Sequence, residues 1–199
     1  MKINKIAGIC KRANLIKLYD EPDGSDVQWC GTDAVIYPLY SLPVLDGNNV
    51  GPVMNFSDKE LKNIVVEHVR IPDYYDISDN AVGEKLLNGS LIRIVIGNTI
   101  YNAYQRQCES GLLFINSEYL KPLLGSEDDP ILYLREGGRT GEYIAAKQGL
   151  MLAAIIEPEL DILSASLVKN VLAFANAVHS EFDRMDGIPD TDPETGEIV

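Results

Sequence analysis

Apolar residues at the start of the chain recur first at helical and then at strand spacing. Ile3, Ile6, Ile9, Cys10 and Ala13 fall three or four positions apart, which predicts a helix over 3–13 that Asn14 ends. The continuous run Leu15–Tyr19 reads as a strand, and Glu21-Pro22-Asp23-Gly24 as a turn. A second strand follows near Val27–Cys30, a turn at Gly31-Thr32-Asp33, and a third strand over Ala34–Tyr37 that Pro38 stops. Turns this tight make the three strands antiparallel.

Residues 41–52 read as a Gly/Pro-containing loop. Ser57 with Glu60 is a capping box, and it opens a helix expected over 57–68 with Leu61, Ile64, Val65 and His68 on its apolar face. A short helix is expected over Asn80–Leu87. Leu91–Ile96 and Thr99–Tyr104 flank Gly97-Asn98, a hairpin signal. Leu112–Ile115 is a strand, and Ser117 caps a short helix that Pro122 confines to early-turn geometry. Ile131–Leu134, Glu142–Lys147 and Leu150–Ile156 are three further strands, turned at Gly137-Gly138 and Gln148-Gly149 and stopped by Pro158. Leu167, Val168, Val171, Leu172, Ala175, Val178 and Phe182 then predict a long C-terminal helix. Ile188–Val199, with two prolines and four carboxylates among twelve residues, reads as a disordered acidic tail.

Two stretches share one grammar. In 16–39 and again in 131–158, an apolar strand is followed by a glycine turn, an aromatic-bearing strand, a second turn and an apolar strand that ends at proline. A helical segment precedes each, and 53–104 carries a looser version of the same order. Such repetition points to duplication of a helix-plus-meander unit. The expected fold class is α+β, with repeated helix plus antiparallel β-meander units and a C-terminal α-helix. The expected divisions are 1–88, 89–160, the helix 161–186 and the tail 187–199.

The phrase EYIAAKQGLMLAAIIEP, Glu142 to Pro158, resembles the closing hairpin of a DNA sliding-clamp domain. The helix 3–13 followed by LIKLYDE and VQWCGTDAVIYPL resembles the first helix and strands of such a domain. The resemblance is one of pattern over residues 1–158, to a divergent phage or mobile-element type. It implies a non-enzymatic factor that holds double-stranded DNA on a basic helix face. It also implies closure of a ring by homo-oligomerisation and a replication protein as partner. Only about three half-units can be counted, fewer than a clamp protomer carries, and the C-terminal helix and tail depart from the standard clamp.

Charge refines this picture. The chain has 199 residues and a net charge of −13, from 17 Lys+Arg against 30 Asp+Glu. Phosphate repels such a chain overall, so any contact with nucleic acid needs a local basic face. Lys2, Lys5, Lys11 and Arg12 fall largely opposite the apolar stripe of the first helix, and Lys59 and Lys62 lie one turn apart on the second. These six, over a third of the cations, are the expected DNA-facing residues. Solvent faces of helices also carry such charges for solubility alone.

Enzyme chemistry finds little support. His68 and His179 have no neighbour at metal-ligand spacing, and neither GxSxG, GxxxxGK[ST] nor GxGxxG occurs. Gly137-Gly138-Arg139-Thr140-Gly141 is glycine-rich but lies between strands, so it reads as a hairpin loop rather than a phosphate cradle. The acidic clusters at Asp20–Asp26 and Glu127–Asp129 lack the ligand order of a calcium loop. No catalytic residue, metal or cofactor is expected. Cys10, Cys30 and Cys108 form no metal or disulfide spacing and read as reduced thiols in a cytoplasmic protein. No apolar run approaches the ~18 residues of a membrane span, and the N-terminus lacks a signal-peptide core, so no membrane contact is expected. The alternative function is a protein–protein interaction or structural module without DNA binding. A hydrolase assembled from scattered residues ranks last.

Overall fold

The apolar stripe at the N-terminus forms α1, Ile3–Ala13, in a computed structural model that describes residues 2–21, 27–106, 112–125, 129–158 and 173–174. Ile6, Ala7, Ile9 and Cys10 are its buried residues, and Asn14 closes it in the left-handed conformation at φ 52°. The meander β1 (Leu15–Asp20), β2 (Gln28–Gly31) and β3 (Val35–Pro38) follows. Gly31 has to be glycine, because a Cβ there would sit 1.9 Å from the Val35 carbonyl oxygen.

Two short helices, α2 (Val50–Met54) and α3 (Asp58–Leu61), lead into β4 (Val65–Arg70), which pairs parallel to β1. The capping box at Ser57 and Glu60 forms as expected, but the helix ends at Leu61 instead of running to 68. The segment VVEHV is rich in β-branched residues, and register with β1 from Leu15↔Val65 to Asp20↔Arg70 outweighs a helical periodicity only three residues deep. The helix expected over 80–87 is likewise absent. Gly83 takes φ 80°, which breaks it, and Lys85 already opens a strand.

That strand is β5 (Lys85–Ile96), which turns at Gly97-Asn98 into β6 (Thr99–Arg106). Then come β7 (Leu112–Asn116), a 3-10 turn at Ser117–Leu120, and the second meander, β8 (Ile131–Glu136), β9 (Glu142–Gln148) and β10 (Met151–Ile156). The ten strands among the described residues join one sheet in the order β4-β1-β2-β3-β10-β9-β8-β5-β6-β7. Every pairing except β1–β4 is antiparallel. The protein is thus a strand-dominated mixed α/β fold with few helices. The two meanders meet at the β3–β10 pair, so the central order 1-2-3-10-9-8 reads the same from either side.

Strand alternation sends side chains to two faces. On one, Ile16, Leu18, Cys30, Tyr37, Ile144 and Ile156 pack with α1, α2, the 3-10 turn and β7. On the other, Tyr19, Trp29, Ile36, Tyr143 and Ile155 pack with Ile71, Tyr75 and Ile77 from the segment between β4 and β5. Met1–Glu159 is one compact unit and Leu160–Val199 a second. The expected C-terminal helix and acidic tail lie outside the described residues, save Ala173 and Phe174, which are helical. Cys108, Glu127, Asp128 and the 22–26 turn also lie outside them. No helix among the described residues is long and apolar enough to cross a membrane.

Candidate functional site

All six cations expected to face DNA are exposed. α1 contains no acidic residue, so the charges on its outward face are all cationic. Lys2 and Lys5 stand at its N-terminal end beside 117–125, where the Lys2 N–H donates to the Pro122 carbonyl at 3.0 Å and the Lys2 ammonium lies against Gly125. Lys11 and Arg12 stand about 9–15 Å further along the helix axis. Both are engaged internally: Lys11 with Glu60, and Arg12 Nη2 with Glu118 Oε2 at 3.0 Å. The Lys11 ammonium and the Ser57 N–H hold the Glu60 carboxyl down to about 2. Lys121, aided by Arg12, lowers Glu118. The Lys11–Glu60 pair therefore sets α3 beside the end of α1, which brings Lys59 to that end. Lys62 caps α3 rather than standing on a helix face.

The opposite face of the sheet carries a polar assembly that no sequence pattern announced. Residues 71–84 run across it as a strap, anchored by Arg135, which is 3% exposed. Its five N–H donors all find acceptors: Nη1 donates to the carbonyls of Asp76 and Ser78 at 2.8 Å each, Nη2 to that of Asp79 at 3.2 Å and to Glu84 Oε2 at 2.7 Å, and Nε to Glu84 Oε2 at 3.0 Å. Lys147, also buried, pairs with Glu84, donates to Asn80 Oδ1 at 3.3 Å, and sits 4.6 Å from the centroid of the Tyr133 ring. Burial opposes ionisation of Glu84, but Lys147 and Arg135 outweigh it and hold the carboxyl below its ordinary range. The Tyr143 hydroxyl bridges the Asp76 N–H and C=O, each at 2.9 Å, and Asp79 Oδ1 accepts from the Leu152 N–H at 2.7 Å. The signal available in the sequence was Arg135 and Lys147, cations set inside otherwise apolar strands.

Beside the strap lies a pocket of about 220 Å³ lined by Lys17, Tyr19, Asp33, Arg70, Tyr74, Tyr75 and Arg139, with Val69 and Pro72. Lys17 Nζ bonds Asp33 Oδ1 at 2.7 Å and Glu67 Oε2 at 3.1 Å, and the Asp33 bond chiefly raises its pKa. Burial pushes the Tyr19 phenol up to about 12. Comparison with protein-family models, with curated proteins and with solved structures finds no match to this chain. The glycine-rich turn is a hairpin loop, with Gly137 at φ 115° and its N–H on the Gly141 carbonyl at 3.0 Å. Behind it sits Glu157, 4% exposed, which accepts from the Tyr75 hydroxyl and from the Arg139 N–H at 3.0 Å. Burial, together with the bond to Glu157, raises Tyr75 well above the ordinary tyrosine range.

A second cavity, of about 340 Å³, is mainly apolar and is lined by Ile3, Pro38, Tyr40, Leu42, Leu123 and Met151 among others. No cluster of metal-ligating side chains occurs among the described residues. Cys10 and Cys30 are free and buried; the Cys10 thiol donates to the Gly31 carbonyl at 3.5 Å, and a hydrogen bond between the two thiols together with burial raises the Cys30 thiol. His68 pairs with Asp20 at 2.7 Å across β1 and β4.

Proposed function

We propose that the protein is a non-enzymatic, clamp-like DNA-associated factor that holds double-stranded DNA against the α1 face. The observation that carries this reading is an acid-free helix with exposed Lys2, Lys5, Lys11 and Arg12 on a chain of net charge −13. Concentrating cations on one element of an acidic body gives local attraction to phosphate without indiscriminate binding. The back-to-back meanders about β3–β10 support the same reading, since they put α1 and the 117–125 segment on one side of a continuous sheet. Contact of this kind positions a duplex without reading its bases. Association of copies would close it round the duplex, in replication of a phage or mobile element, with a replication protein as partner.

The test is fluorescence anisotropy of a labelled duplex against the full chain at several salt concentrations. Lys2→Glu/Lys5→Glu should weaken binding about tenfold or more. It should also flatten the log–log salt slope by about 0.9 for each phosphate that the variant no longer neutralises. Indifference of binding to the double variant, or absence of binding at low salt, sinks the proposal. Light scattering should show a closed multimer; a strict monomer at high concentration rules out the ring.

One observation favours the alternative of an interaction module without DNA contact. The β5–β6 hairpin exposes Leu91 (94%), Val95 (65%) and Ile100 (44%), with Val95 and Ile100 directly paired across the strands. Under that reading Leu91→Ser/Val95→Ser abolishes self-association while the α1 variants change nothing.

A further inference from the structure

We infer that the pocket between β1, β4 and the β8–β9 turn is a binding site for a phosphate group, separate from the α1 face. Its free charge suits an anion. Three of its lining residues are cations, Lys17, Arg70 and Arg139; Lys17 is shared by Asp33 and Glu67 and Arg139 stands against Glu157, so Arg70 carries the charge that is left over.

The arginines of this sheet face differ in how far they are already engaged. Arg135, a structural arginine of this same sheet face, has all five donors occupied by the strap. Arg70, the last residue of β4, is exposed and has no side-chain hydrogen bond or ion pair among the described residues. An arginine at a pocket wall with its planar fork unoccupied is suited to an oxyanion.

The pocket is also preorganised. The turn that carries Arg139 is bolted down on two sides: the Gly138 N–H donates to the Tyr74 carbonyl at 3.1 Å, and the Arg139 N–H to Glu157 Oε1 at 3.0 Å. Gly137 admits no side chain here, since a Cβ would lie 2.2 Å from the Tyr74 carbonyl oxygen. Arg139 Nη2 is steered by the Asp33 carbonyl, and its Nε is 4.0 Å from Glu157. Lys17 is fixed between Asp33 and Glu67. Two cations are thus held in place before a ligand arrives, and Arg70 is left to close on it. The pocket's 220 Å³ has room for more than a bare phosphate, and Tyr74 and Tyr75 offer ring surface to what the phosphate is attached to. Phosphate is the shared chemistry, and its source is either the free ion or a mononucleotide.

Isothermal titration calorimetry of the full chain at low salt tests this, with inorganic phosphate in one arm and thymidine monophosphate in the other. Saturable binding is expected in at least one arm. Nucleotide binding tighter than phosphate identifies the nucleotide as the source, and Tyr74→Ala then removes the difference. Equal binding identifies the free ion. Arg70→Ala, at an exposed position where folding is not at stake, should weaken binding about tenfold or more, and Arg70→Lys should recover only part of it. Lys2→Glu/Lys5→Glu should leave it unchanged, so failure of the DNA reading and failure of this one are distinguishable. No heat in either arm, or binding that Arg70→Ala leaves intact, overturns the inference.

Discussion

The two faces of the sheet are covered by different chemistry. On the α1 face, Ile6, Ile9, Ile16, Leu18, Leu134 and Ile144 pack carbon on carbon. Charges there stay at the rim, as exposed pairs such as Lys11–Glu60. On the strap face, the segment 71–84 contributes few apolar groups and is held by the buried Arg135–Glu84–Lys147 network and by bonds to backbone carbonyls. Apolar packing loses stability in proportion to what is removed, since its gain scales roughly with area. A buried network behaves differently, because removing one member strands the rest without water.

The largest effect should come from the strap. Arg135→Met leaves Glu84 Oε2 and the Ser78 and Asp79 carbonyls without their donor, takes one of two donors from the Asp76 carbonyl, and should cost about 3–5 kcal/mol in urea denaturation. Replacing the whole network, as Arg135→Met/Glu84→Leu/Lys147→Met, should return much of that loss. A triple variant as unstable as the single one would place the loss in the stranded carbonyls, and a single variant as stable as the wild type would mean that the strap is held by packing. On the α1 face, Leu18→Ala should cost about 2–5 kcal/mol. Amide exchange in 71–84 separates the two faces: Arg135→Met should speed it far more than global stability accounts for, and Leu18→Ala should not.

A pH dependence comes next. The unfolded Tyr19 phenol ionises near 10, while the folded one, raised by burial, holds its proton to about 12. The folded state therefore binds more protons between those values, and stability falls as pH rises from 10 to 12. The wild type should lose about 2 kcal/mol more than Tyr19→Phe over that window. Equal slopes in the two proteins would show that the phenol is not buried on the strap face. The smallest effect belongs to the rim. Glu60, held down to about 2 by Lys11, contributes stability above its ordinary 4.5 that is lost as pH falls through about 2. Urea midpoints of wild type and Glu60→Gln should differ slightly at pH 6 and converge in acid, and the difference should shrink in high salt.

Most strands were legible where one rule sufficed. The stretches Leu15–Tyr19, Glu142–Lys147 and Leu150–Ile156 stand out because they are apolar runs between glycine or proline turns. The 57–68 helix failed because Ile64, Val65 and His68 fit a helical face and a strand equally well over so short a span. The decision fell to β1, a partner fifty residues away in sequence with a free edge. The helix expected over 80–87 failed because Gly83 breaks it and Lys85 and Leu86 pair instead with Leu134 and Tyr133, a partner far off in sequence. The pocket was hidden for a similar reason. Lys17, Arg70 and Arg139 lie on β1, on β4 and in the β8–β9 turn, far apart in sequence, and each alone looks like a solvated cation.

The sequence by itself determined α1, the capping box at Ser57, the turns at Gly97-Asn98 and Gly137-Gly138, and the strand character of both meanders. These depend on periodicity, backbone permissiveness and hydrogen bonds within a few residues. Only the tertiary structure decided that the meanders join at β3–β10, that β4 runs parallel to β1, and that Arg135 and Lys147 are buried partners of Glu84. Those outcomes rest on contacts between distant segments, whose energies exist only once the chain has brought them together and excluded the water between them.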